Sequence, residues 1–435
     1  MRLMLCIISL LLSVQASCAH SVRTTFVSLG STNAILMEPA ATDIKSRIAL
    51  VYTYPLASLS LSSPPSNNFN HPSGPQLASR GYRVLLLNNY NECVGYESYV
   101  PDISHAIKYL RSLPGVEKVL LLGHSAGGPL VAFYQNVAEN GPAACQGPEK
   151  IYPCRGELDG LPKADGVVLM DSHLGEGFSA LTYVDPAITE GHPRQRSAAL
   201  DPFDPANGYN AAANAANYSD AFIRKFFAAQ AARNEKLVAA AQARLSVIEK
   251  NQGKYKGDEA FEVPEICCAR LLQGDTKLVS HTKATHPLLK TDGTTSTQII
   301  KSVRPAMGRD DGIGSYEQYS VRGFLAGQAL RTTPAYMMTE DSITGVDWAS
   351  SSTSAPTNVE GIRVPLLIMT MTCHYFVVPD EIIFDHAASK DKQIAYVEGA
   401  SHGFTPCRPE YGDTMKRTFD YVDSWLGDAK RFGSR

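Results

Sequence analysis

Short runs of uninterrupted apolar residues, alternating with helical patterns, restrict this chain more than any other feature. They lie at 48–54 (IALVYTY), 83–87 (RVLLL), 118–122 (KVLLL) and 166–170 (GVVLM), then again at 364–369 and 393–397. Helical patterns at 75–80, 102–113, 128–138, 380–388 and 413–426 fall between or after them; in 102–113, Ile103, Ala106, Ile107 and Leu110 share one face. A strand that is apolar on both faces must be covered on both faces. That is the situation of a parallel sheet with helices above and below it. The expected fold class is therefore α/β, with a mostly parallel central sheet.

The alternation stops at residue 171 and resumes at 364, so the sheet pattern brackets a long interruption. Within it, a helix is expected from an N-cap at Ser219 to about Lys250, with Phe227, Ala231, Val238, Ala241, Leu245 and Ile248 forming one apolar stripe. Elsewhere the segment is rich in Gly, Thr, Ser and Asp. The economical division is a core at 20–171 and 362–435 and a cap or lid insertion at 172–361. The alternative is a separate domain that folds by itself.

The first nineteen residues stand apart from this pattern. Arg2 is followed by an apolar run at 3–14, and Ala16-Ser17-Cys18-Ala19 supplies small residues for signal-peptide cleavage. The expected destination is extracellular, the alternative an uncleaved N-terminal anchor; no later segment approaches the length of a membrane span. Seven cysteines then remain: Cys93, Cys145, Cys154, Cys267, Cys268, Cys373 and Cys407. Oxidising surroundings favour bridges, with an odd thiol left over. Cys145 with Cys154, which bracket a short polar loop, and Cys373 with Cys407 are the candidate pairs. Asn217-Tyr218-Ser219 is a glycosylation sequon suited to an exported surface. No cysteine or histidine spacing suggests a structural metal. A net charge of -3 gives no reason to expect nucleic acid as a partner.

The chemistry concentrates at two places. Gly123-His124-Ser125-Ala126-Gly127 is a G-x-S-x-G sequence that directly follows the run KVLLL and opens a helix. A sharp turn in that context lifts the serine hydroxyl clear of the sheet, and glycines are needed where neighbouring backbone approaches. A serine hydroxyl is a weak nucleophile until a base removes its proton. His402, in VEGASHGF between the last strand and the last helix, comes in the right chain order to be that base.

With GHSAGG and VEGASHGF as its specific parts, the chain resembles the α/β-hydrolase superfamily from about residue 45 to 426. The tract 119–153, with YQNVAENG, is similar to capped bacterial and fungal hydrolases of that superfamily. The resemblance implies a Ser-His-acid triad with Ser125 and His402, an acyl-enzyme intermediate and no cofactor. It also implies a small apolar ester, lactone or related acyl substrate. The acid is the point of departure. It usually lies four residues before the proline of a V-P pair after the seventh strand, and that position is Tyr375. Three carboxylates stand as substitutes: Asp171 first, directly after GVVLM, then Glu381, at the start of a helix, and Glu398. The oxyanion hole is expected from the N–H of Ala126 and a second N–H near Leu56, in the loop after IALVYTY. An acyltransferase or lactonising enzyme could use the same serine and histidine, and an inactive binding protein is the remaining alternative.

Overall fold

The apolar runs form the interior strands of a twisted sheet. In the computed structural model, residues 21–30, 32–54, 72–87, 95–189, 192–266, 270–308 and 315–433 are described. The ten strands of the main sheet are, in chain order, β1 (Val22–Ser28), β2 (Asn33–Pro39), β3 (Ile48–Thr53), β4 (Arg83–Leu87), β5 (Lys118–His124), β6 (Gly166–Met170), β7 (His281–Leu289), β8 (Thr295–Lys301), β9 (Leu366–Met371) and β10 (Lys392–Val397). Their spatial order is β1-β2-β4-β3-β5-β6-β9-β10-β7-β8. From β4 through β7 every neighbouring pair is parallel, and only the pairs at the two edges are antiparallel.

Each interior strand sends alternate residues to opposite faces, and both faces are apolar. Val51 of β3 and Leu121 of β5 join one core; Leu50, Tyr52, Leu120 and Leu122 join the other. Each such leucine, fully buried, contributes roughly 1.5–3 kcal/mol. Helices α1 (Val100–Ser112) and α2 (Gly127–Asn140) cover the first face, and α6 (Thr414–Leu426) covers the second through Phe419, Val422, Trp425 and Leu426. Strand and helix order, with the crossing at β3 and β4, is that of the α/β-hydrolase fold.

Much of 172–361 lies beside the sheet rather than in it. Its largest element is α4 (Asp220–Glu249), capped by Ser219, whose hydroxyl accepts from the N–H of Phe222. The side chains of Phe222, Phe226 and Phe227 belong to the same apolar cluster as Val51, Leu121 and Ile368 of the sheet. The inserted segment and the sheet thus share one core. Strands β7 and β8 nevertheless come from this segment and extend the central sheet, so the boundary drawn at 172 and 361 does not follow the sheet edge. Their sequences, HTKATHPLL and TSTQIIK, carry polar residues on an exposed face and do not read as buried strands. Among the described residues, no helix is long and apolar enough to cross a membrane. Residues 1–20, Cys93, Cys267 and Cys268 lie outside the described residues.

Candidate functional site

The turn at Ser125 is held open by what its neighbours lack. Ser125 takes φ +57°, a left-handed conformation uncommon for a residue with a side chain. Its N–H donates to Met170 O at the end of β6, and its carbonyl accepts from Gly128 N–H as α2 begins. A Cβ at Gly123 would lie 2.2 Å from the carbonyl oxygen of Gly127, and one at Gly127 would lie 2.2 Å from that of Thr53 in β3. Only glycine allows the chain to reverse so close to the neighbouring strand. Ala126 follows as the N-cap of α2, where first-turn N–H groups have no intrahelical acceptor. Leu56 lies outside the described residues.

His402 sits on a tight loop. Ser401 N–H donates to Thr405 O, Phe404 N–H to Ser401 O, and Phe404 is buried against Phe419. The Cys373–Cys407 disulfide, with Cα atoms 6.3 Å apart, ties this loop to the segment after β9. The Cys145–Cys154 disulfide closes the loop after α2. His124, fully buried, stacks between Tyr54 and His402, with ring centroids 4.6 and 4.5 Å away. Its Nε2 lies 3.0 Å from the His402 carbonyl oxygen, which can only accept, so His124 carries its proton on Nε2.

Of the three candidate acids, the structure brings one to His402. Asp171, fully buried at φ +44°, has Oδ2 2.5 Å from His402 Nδ1. Its Oδ1 accepts from Met371 N–H at 3.0 Å. Burial alone would push the Asp171 carboxyl up, but the imidazoles of His374 and His402 hold it well below the usual carboxylate range. A carboxylate accepting at Nδ1 fixes the other tautomer at His402, with the Nε2 lone pair free. Glu381 is placed elsewhere: it accepts from the N–H groups of Lys283 and Ala284 and lies 2.8 Å from His286 Nε2, all on β7. It is a buried anchor for the next-to-last strand of the sheet, not a solvated helix-start residue. Glu398 accepts from Thr291 N–H and Oγ1 on the β7–β8 turn.

Two further residues at the site had no sequence signal. His374 has Nδ1 2.8 Å from Asp171 Oδ2, outside hydrogen-bond geometry, with its ring stacked 4.4 Å from that of His402. Burial pushes its imidazole down to about 4, against the upward pull of Asp171. Asp380, on α5 (Val377–His386), is fully buried; it accepts from Ser172 N–H and Thr370 Oγ1, joining the ends of β6 and β9. Burial, reinforced by the charge of Asp171, pushes it well above the carboxylate range. Both depend on pairings far apart in sequence. Asp171, His374 and His402 offer ligand atoms within 4.8 Å of one another. Both imidazole nitrogens, however, already sit at contact distance from one carboxylate oxygen, leaving no room for an ion with bonds of about 2 Å.

Ser125, Ala126, His374 and His402 line a cavity of about 560 Å³ whose far wall comes from the segment after β6, including Leu174, Phe178, Tyr183 and Arg270. Ser125 Oγ and His402 Nε2 share this wall without a hydrogen bond between them; such contacts often tighten only around substrate. Asn217 is exposed, and its Oδ1 accepts from Lys277 Nζ.

No family model and no curated protein matches the chain. Solved structures do. A siderophore hydrolase from Aspergillus fumigatus is 15% identical, with a TM-score of 0.43 over 94% of this chain and 99% of that one. Brefeldin A esterase, a bacterial homologue of human hormone sensitive lipase, is 13% identical, with a TM-score of 0.40 over 97% and 81%. A monoglyceride lipase from Saccharomyces cerevisiae is 10% identical, with a TM-score of 0.38 over 98% of each chain. At such overlap the fold rests on this chain's own strand order, and the chemistry on its own site.

Proposed function

We propose that this chain is a serine hydrolase that cleaves an ester, lactone or related acyl bond. Ser125 is the nucleophile, His402 its general base and Asp171 the acid that orients His402. The reading is carried by the 2.5 Å contact between His402 Nδ1 and Asp171 Oδ2, at a cavity wall that also presents Ser125 from a left-handed turn. The Ser125 oxygen attacks the substrate carbonyl as its proton passes to His402 Nε2. The buried Asp171 charge stabilises the imidazolium that results. The Ala126 N–H supplies one donor for the developing oxyanion. His402 then returns the proton to the leaving oxygen, and water enters by the reverse route to release the acid.

The segment 172–361 serves as the cap over this site, apart from β7 and β8, which belong to the sheet. Export is proposed from the leader-like first nineteen residues, with two disulfides as support and Asn217 as a glycan acceptor. The test of the chemistry is turnover of 4-nitrophenyl butyrate. Ser125→Ala is expected to secrete and fold as the parent does and to lose turnover. Parent-level turnover in that variant would remove the serine from the mechanism.

A further inference from the structure

Arg270 is a cation in a place that disfavours one. It is 7% exposed and lines the cavity that holds Ser125 and His402. One Nη donates to Thr182 Oγ1 at 3.2 Å and the other to the Tyr375 hydroxyl. Its Nε has no partner. The guanidinium lies between two rings, 4.6 Å from the centroid of Tyr183 and 4.8 Å from that of Tyr375. Among the described residues no carboxylate pairs with it. The acidic residues of the cavity wall are engaged or remote: Glu265 accepts from the Tyr319 hydroxyl, Glu176 lies 3.6 Å from His173 Nε2, and Glu317 is exposed.

Two other buried or half-buried arginines are neutralised by carboxylates. Arg196 pairs with Asp185 and Asp201, and Arg83 with Glu38. Arg304, whose Nε also lacks a partner, does not line the cavity and spends its Nη groups on the carbonyls of Val279, Leu272 and Leu278. A buried cation without an anion carries a desolvation cost that stacking on tyrosine recovers only in part. A guanidinium has five donors, and this one spends only two. What it lacks is a planar anion, and its fork fits a carboxylate.

We propose that Arg270 binds a carboxylate of the substrate, so that this cavity takes half-esters of dicarboxylic acids or carboxylate-bearing lactones rather than purely apolar esters. The inference rests on Ser125 and His402 being the hydrolytic pair. Geometry sets how far the two groups of the substrate lie apart. The Tyr375 ring, which contacts Arg270, is 4.1 Å from the His374 ring, and that ring is 4.4 Å from His402. Two rings thus separate Arg270 from His402, and both groups face one cavity, so the carboxylate and the scissile carbonyl belong to the same acyl group.

The test compares the 4-nitrophenyl half-ester of adipic acid with 4-nitrophenyl hexanoate, which has the same acyl length and no charge. The parent is expected to favour the half-ester by about tenfold or more in kcat/KM, and Arg270→Gln to erase that ratio through KM. Arg270→Lys should keep part of it. Free adipate should also inhibit hexanoate turnover by the parent competitively, while adipamide does not, a readout that needs no variant. A parent that does not favour the half-ester, or an Arg270→Gln ratio equal to the parent's, overturns the inference and leaves the serine reading standing. If neither ester turns over, the serine reading fails instead. Calorimetry of adipate with the parent then decides for Arg270, with binding supporting its role and no binding refuting it.

Discussion

At the residue scale, the two carboxylates that compete for one role have different surroundings. Asp171 faces His402 from a fully buried position, whereas Glu381 spends its oxygens on β7. Asp171→Asn keeps the shape but favours the wrong imidazole tautomer. Its kcat should fall by about 10³–10⁴, as triad-acid replacements do. Glu381→Gln should lower stability by roughly 1–3 kcal/mol, since part of its charge-assisted bonding is lost, and leave the pH profile of kcat alone. Steady-state kinetics with urea melts on both variants checks this. A dead but stable Glu381→Gln enzyme beside an active Asp171→Asn one would reverse the assignment. Ser125 and His402 were legible because a turn signature and chain order mark them. Asp171 was legible only as one of three, because nothing local says which strand end points at a loop 231 residues away. Arg270, His374 and Asp380 were not legible, since their significance is burial, and burial is a property of the packed molecule.

Among the elements, the His402 loop is braced by backbone bonds and by the Cys373–Cys407 bridge, which spans 34 residues of sequence. Closing a loop of that length restricts the unfolded chain by about 3–4 kcal/mol. The double variant Cys373→Ala/Cys407→Ala should lose about that much stability in denaturant melts. It should also lose kcat, because the loop that sets His402 against Asp171 loosens. Unchanged stability would show that the bridge does not form in the folded protein. Every expected interior strand is present to within a few residues, because a run such as KVLLL has no other place to go than between two helical layers. The missed strands β1, β2, β7 and β8 sit toward the edges. There, VRTTFVS of β1 mixes polar and apolar residues without a period and is mostly exposed, whereas β2 carries the buried apolar run AILM. A strand like β1 is specified by its partner rather than by its own composition.

Over the whole molecule, one apolar cluster joins the sheet to α4, so the inserted segment and the sheet should unfold together. The buried histidine adds a pH dependence to that transition. His374 is pushed down to about 4 in the folded state and takes the ordinary value near 6.5 when unfolded. Between those values the unfolded chain binds the extra proton. The contribution of His374 to stability therefore falls as pH drops from about 6.5 to 4, by up to roughly 3 kcal/mol, while the raised Asp380 carboxyl acts in the opposite direction. Asp171, held low, loses its contribution only at lower pH still. Between pH 7 and 4.5 the urea midpoint of the parent should fall relative to that of His374→Gln. An equal slope in that variant would place the titration elsewhere.

The central claim is that Ser125 is an activated nucleophile served by His402 and Asp171. Fluorophosphonate labelling followed by peptide mass spectrometry tests it most directly. The account predicts one adduct, on the peptide carrying Ser125, formed within minutes by the parent and much more slowly by Asp171→Asn and His402→Ala. An unlabelled parent, or an adduct on any other residue, would contradict it.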